Sequence, residues 1–303
     1  MDGRISNFQQ VASLRRYTFT EGKEKGLEVI DCDNGKLRFL LNISKACDIM
    51  QLYHKGQNVS FISKNGFSKK EASFLKRFEG GMVYTCGLDS IGDRAGFELH
   101  GSLHNIPAEI IHAECNETGI IVEAIIRDSI LFGKNLVLKR KVSTLVLGDS
   151  VSIEDTLINE GYRKEDYCLL YHINIGYPMI EESAKIHADI ESYTPRTSWA
   201  EQNEASMCEM SLPIPNQEET CYFMNLKHPK ITLINEKIKK SLTISYSGDT
   251  LPKFIEWKSM ASGDYALGLE PCTTLLDDGF MYKTIREGEK IKFFIKISIH
   301  EIS

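Results

Sequence analysis

Between residues 37 and 43 the chain alternates, with Leu37, Phe39, Leu41 and Ile43 apolar and Arg38 and Asn42 polar. A period of two marks a strand with one buried face, and the Asn34-Gly35 pair just before it reads as a hairpin turn. Residues 58–67 end in a second such pair, Asn65-Gly66. Residues 120–126, 136–146 and 151–157 are β-rich, with Gly148-Asp149 joining the last two, and 131–140 with 151–158 read as long partners in a curved antiparallel sheet. Strand signals resume at 221–224, 231–234 and 242–246, and 292–299 alternates through Phe293, Ile295, Ile297 and Ile299. Helical spacing is confined to two places. Phe8, Val11 and Leu14 follow Asn7, a candidate cap, and Phe74 and Phe78 follow a Ser68–Glu71 capping box. Residues 181–216, with Pro195, Pro213 and Pro215, show no clear period and read as a long connection between sheets or over a mouth. The expected fold is all-β: a large antiparallel β-sandwich with few short helices, one domain spanning residues 1–303.

Composition narrows the function classes. A hydrophobic fraction of 42% with 26% charged residues fits a globular chain with a real core. The net charge of −6 argues against a nucleic-acid partner. No run approaches the ~18 apolar residues of a membrane span, and Met1-Asp2-Gly3-Arg4 opens no apolar signal core. The eight cysteines are scattered from Cys32 to Cys272 without CxxC spacing, so structural zinc is not expected and reduced thiols in the cytoplasm are.

Three polar signals interrupt apolar segments. In residues 169–178, which read as a strand ended by Gly176 and Pro178, His172 and Asn174 share one face while Ile173 and Ile175 take the other. A core histidine satisfied by a neighbour would look the same. The second signal holds His100 and His104 among Glu98 and Glu109. An extended chain would set these histidines ~13 Å apart, too far to share a metal ion. Gly101 and Pro107 oppose the helix that would join them. Two histidines lining one end of a pocket fit better. The third signal is Glu270, held extended by Pro271 in the apolar run 265–271.

Together, Leu99-His100-Gly101, Tyr171-His172-Ile173-Asn174 and Leu267-Gly268-Leu269-Glu270-Pro271 resemble the aldose 1-epimerase (galactose mutarotase-like) superfamily in order and spacing. An uncharacterised bacterial branch of it is more similar still, through Phe78-Glu79-Gly80-Gly81-Met82, Thr85-Cys86-Gly87-Leu88-Asp89, Asn105-Ile106-Pro107-Ala108, Trp257 and residues 263–271. The resemblance runs from about Phe8 onward and implies the β-supersandwich fold. It departs at Ser44-Lys45-Ala46-Cys47, where an Arg-Gly pair is expected before Asp48, and at Ser102 and His104 after the His-Gly pair. The implied reaction interconverts the α and β anomers of an aldose or modified aldose, a small-molecule sugar. Glu270 would act as base, His172 as acid and His100 as hydroxyl ligand, with no metal or cofactor. A carboxyl among apolar residues gains basicity and a histidine exchanges protons near neutrality, which suits that division. Arg77, Asn174 and Asp264 are candidate hydroxyl partners and Trp257 a candidate stacking platform, in a monomer or homodimer. Two other readings stand beside it. An epimerase or isomerase of a phosphorylated or acidic sugar would need cations such as Arg77, Arg94 and Lys253 to converge, and a non-catalytic carbohydrate-binding protein would keep the pocket alone.

Overall fold

A computed structural model describes residues 3–70 and 72–302. The first five strands form an antiparallel meander, β1 (Ser13–Thr18), β2 (Glu28–Asp33), β3 (Leu37–Asn42), β4 (Asp48–His54) and β5 (Gln57–Asn58). Asn34-Gly35 makes the expected turn between β2 and β3, with Gly35 at φ +88°. The remaining strands build one thirteen-stranded sheet. They are β6 (Val83–Leu88), β7 (Glu109–Cys115), β8 (Gly119–Ser129), β9 (Asn135–Leu145), β10 (Ser150–Asn159), β11 (Glu165–Ile175), β12 (Ala184–Pro195), β13 (Thr220–Asn235), β14 (Lys240–Tyr246), β15 (Lys253–Ala261), β16 (Asp264–Cys272), β17 (Lys283–Ile285) and β18 (Lys290–Glu301).

Burial follows the pleat. Ile120, Val122, Ala124 and Ile126 on β8 and Phe293, Ile295, Ile297 and Ile299 on β18 enter one continuous apolar core. The pairing of β9 with β10 matches the expected long antiparallel partners, with Ile153 opposite Val142. Strand β11 differs from these because it is buried on both faces from Tyr167 to Ile175. One face meets the core, and the other carries His172.

Four expectations are corrected. The N-terminal helical spacing closes only one 3-10 turn, Phe8–Gln10, although Asn7 caps it as expected. The second pair, Asn65-Gly66, makes a turn but joins no two strands, since residues 58–67 hold only the end of β5 and isolated bridges at Ser60 and Ile62. The stretch 181–216 contains β12, an edge strand paired with β13, and a short helix, α2 (Ser198–Gln202). The edge position explains the misreading, since Lys185, His187, Asp189 and Glu191 are polar residues on a strand with one neighbour. Finally, 221–224 and 231–234 belong to one sixteen-residue strand, β13. Pro229 falls where β13 passes from pairing with β15 to pairing with β14, a point at which its missing N–H costs no ladder bond. The helix after Ser68 is a single turn, α1 (Phe74–Arg77), and Glu71 of the expected capping box lies outside the described residues, as do Met1 and Asp2. No helix is long and apolar enough to cross a membrane among the described residues.

Candidate active site

Strands β11 and β16 pair with Asn174 opposite Gly268 and Ile173 opposite Leu269. This register brings His172 and Glu270 to the same side, with His172 Nε2 3.2 Å from Glu270 Oε1. Gly268 makes the approach possible. A methyl group there would stand 2.5 Å from Glu270 Oε1 and 3.2 Å from both His172 Cε1 and Trp257 Cε3. The imidazole is ringed by Phe78, His100 and Trp257, each with its ring centre 5.6 Å away.

These groups line a cavity of about 560 Å³, a volume suited to a small ligand. Phe61, Phe74, Phe78, Ile255 and Leu276 supply its apolar wall, with Phe74 at the start of α1 and Phe78 at its C-cap stacked 4.9 Å apart. Asn65, Arg196, Gln217, Glu219, Ser259 and Asp264 supply polar atoms. Trp257 Nε1 donates to Glu219 Oε2 at 2.7 Å, so indole and carboxylate are set as a unit.

The electrostatics of the pair are set by dryness. Burial, reinforced by the Glu219 and Glu256 carboxylates, holds the Glu270 carboxyl well above its usual range. Burial, then the neighbouring His100, holds His172 well below its own. Asn174 acts the other way on His172, although His172 Nδ1 and Asn174 Oδ1 are both buried without a hydrogen bond of good geometry. Both shifts favour the uncharged form, a protonated carboxyl on Glu270 and a neutral imidazole on His172. His100 is pushed down to about 4, first by burial and then by the charge of Arg196. Its Nδ1 accepts from the Gly92 N–H at 3.3 Å. That bond fixes the tautomer, leaving Nε2–H as a donor.

Of the residues expected from sequence, Glu270, His172, His100, Trp257 and Asp264 line the cavity and Arg77 and Asn174 do not. Arg77 is buried, paired with Glu98 at 2.6 Å and bonded to Asn105 Oδ1, because Phe74 and Phe78 take the cavity side of α1. Asn174 donates to the carbonyl of His172 at 2.9 Å beneath the ring. His104 also leaves the expected pocket end: its Nδ1 meets Asp48 Oδ2 at 2.6 Å and its Nε2 meets Glu79 Oε1 at 3.3 Å. Arg94 stacks on Phe280, 3.6 Å from the ring centre, and neither it nor Lys253 lines the cavity. The two lining cations are each paired, Lys64 with Asp264 at 2.6 Å and Arg196 with Asp277 at 2.6 Å. Sequence reasoning missed Arg196, Gln217 and Glu219. The first two lie in or beside the unpatterned stretch, and Glu219 comes to the site through the pairing of Cys221 with Trp257, which periodicity does not reveal. No three His, Cys, Asp or Glu side chains among the described residues are arranged to hold a metal ion.

A family profile described as "Domain of unknown function (DUF4432)" matches residues 24–283. No curated protein matches the sequence. Among solved structures, the chain is similar to a protein provisionally described as an aldose 1-epimerase from Klebsiella pneumoniae subsp. pneumoniae MGH 78578, at 18% identity and a TM-score of 0.87, over 97% of this chain and 87% of that one. It is similar to a galactose mutarotase-like protein from Clostridium acetobutylicum, at 13% identity and a TM-score of 0.74, over 97% and 100% of the two chains. A galactose mutarotase-like protein from Lactobacillus casei ATCC 334 matches at 13% identity and a TM-score of 0.63, over 90% and 100%. At such identities the likeness establishes the fold, a galactose mutarotase-like β-supersandwich.

Proposed function

We propose that this chain, which belongs to the DUF4432 family, is an isomerase that interconverts the α and β anomers of an aldose. The observation that carries the reading is the 3.2 Å approach of His172 and Glu270 in an aromatic-walled cavity, where burial favours the uncharged form of both. Mutarotation needs a base at the anomeric hydroxyl and an acid at the ring oxygen. With Glu270 ionised and His172 protonated, Glu270 is the base and His172 the acid, their nearest atoms 3.2 Å apart. Glu270 takes the anomeric hydroxyl proton, His172 gives its proton to the ring oxygen, and the C1–O5 bond breaks to leave a carbonyl. Rotation about C1–C2 and closure on the other face return both protons. His100 Nε2–H, Glu219 and Asp264, which line the cavity, serve as hydroxyl partners and Trp257 as the stacking platform. Arg77 and Asn174 serve behind the wall, the first bracing Glu98 and Asn105, the second beneath His172. All eight cysteines are free thiols, as suits a reducing compartment such as the cytoplasm.

The paired state of Lys64 and Arg196 favours a neutral sugar over a phosphorylated one, since a phosphate would have to displace a carboxylate from either cation. The test is anomer exchange by saturation-transfer NMR over neutral, acidic and phosphorylated aldoses. Glu270→Gln and His172→Asn are each expected to lower the rate about 10²–10⁴-fold. Full activity in Glu270→Gln would remove Glu270 as base. A sugar-induced rise in melting temperature without acceleration of any sugar would identify a binding protein instead.

A further inference from the structure

Strand β15 shows the cavity only one of its faces. Trp257 and Ser259 line the cavity, so by the pleat Glu256 and Lys258 point behind it, and both are buried. Lys258 Nζ donates to three backbone carbonyls of one turn, Ser206 at 2.8 Å, Met207 at 2.7 Å and Glu209 at 3.0 Å. An ammonium has three protons, and all are used on that turn. Glu256 Oε1 stands 3.6 Å away, its carboxyl pushed up to about 7 by burial, with neither of its oxygens in a hydrogen bond.

The turn belongs to the segment joining β12 to β13, whose two ends send Arg196, and then Gln217 and Glu219, into the candidate site. A second cavity of about 110 Å³ lies behind that wall, and Lys258, Ser206, Glu209, Gln217, Glu218 and Thr220 line it. Gln217 borders both cavities, so the turn that Lys258 holds backs directly onto the sugar-facing wall. Burying an ammonium is costly compared with an apolar side chain of equal length. A leucine or methionine here would fill the space and leave three carbonyls without a donor.

We propose that Lys258 is a positioning residue of the candidate site, fixing from behind the segment that presents Gln217 and Glu219 to the sugar. The assignment of those residues to sugar hydroxyls rests on the mutarotase reading, whereas the mechanical role of Lys258 does not. Lys258→Met and Lys258→Arg are compared with wild type in two measurements. Hydrogen exchange needs no sugar. In Lys258→Met the amides of residues 206–219 are expected to exchange at least about tenfold faster, those of β8 to β10 at the wild-type rate, with Lys258→Arg recovering part of the protection. Anomer exchange on D-glucose and D-galactose is then expected to show KM raised about tenfold in Lys258→Met, as Gln217 and Glu219 lose their fixed positions. Unchanged exchange at 217–219, or uniformly faster exchange across the whole sheet, overturns the proposal, as does a fall in kcat at constant KM. If wild type turns over neither sugar, the hydrogen-exchange result alone decides the role of Lys258, and the mutarotase reading is judged by the wider sugar panel.

Discussion

His100 occupies a left-handed backbone position, φ +65°, and accepts a hydrogen bond through Nδ1, so its orientation is fixed from two sides. Its charge is fixed as well. In the fold it takes up a proton only near pH 4, whereas the unfolded chain does so near the ordinary value of 6.5. Between those values the unfolded state binds the extra proton, so the contribution to stability is complete above pH 6.5 and is lost as pH falls toward 4. Glu270 acts in the opposite sense, since a carboxyl held protonated in the fold costs stability as pH rises above the ordinary carboxylate range. A single melting curve mixes the two, and the difference between wild type and a variant separates them. Asparagine tolerates positive φ, so His100→Asn keeps the turn. The stability lost by wild type between pH 6.5 and pH 4 should exceed that lost by His100→Asn by about 1–3 kcal/mol. Urea unfolding at both pH values measures it, and equal losses would mean that His100 titrates normally in the fold.

At the scale of elements, β16 is built around a residue that has no side chain. Gly268 lies opposite Trp257 on β15 and Asn174 on β11, and its empty face is where His172 and Glu270 meet. Gly268→Ala places a methyl 2.5 Å from Glu270 Oε1, so the carboxyl must turn away. The expected result is a loss of at least about 100-fold in anomer exchange, with a melting penalty of only about 1–3 kcal/mol for overpacking. A fully active Gly268→Ala would mean that the contact with His172 is dispensable. Here the sequence was informative to an uneven degree. Strands β8 and β10 were legible as β-rich runs and β3 and β18 by their alternation, which in β18 sends Phe293, Ile295, Ile297 and Ile299 into the core. His172 and Glu270 were legible because a polar residue in an apolar strand stands out and because the flanking motifs resemble a known family. Edge strand β12 was not, since its polar residues blur the alternation, and Arg196 and Gln217 were hidden with it. His104 was misplaced for a related reason. One turn at Gly101, φ +77°, separates its destination from that of His100, and a turn's direction is invisible to periodicity.

In the whole molecule the small and large sheets are joined by charge as well as by apolar contact. Arg140 on β9 is fully buried and reaches Asp155 on β10 at 2.7 Å, Thr85 on β6 at 2.9 Å and Asp48 on β4 of the small sheet. Tyr171 on β11, beside His172, donates to the same Asp155 at 2.7 Å. The cluster continues through His104 and Glu79 to Lys45, whose Nζ is 2.5 Å from the Glu79 carboxylate. Removing the guanidinium strands two buried carboxylates. Arg140→Met is therefore expected to cost about 3–5 kcal/mol in urea unfolding, and a loss below about 1 kcal/mol would show that the cluster does not bind the sheets together. Strand β18 adds a constraint of another kind. It is the last strand in the chain, yet it lies inside the thirteen-stranded sheet, between β14 and β10. Until residues 290–301 leave the ribosome, β10 and β14 each present a bare edge, and the halves of the sheet they border have no ladder between them. Synthesis and closure are therefore separated in time, and from the completion of β14 at Tyr246 until β18 follows, the growing chain carries two open edges suited to wrong pairing.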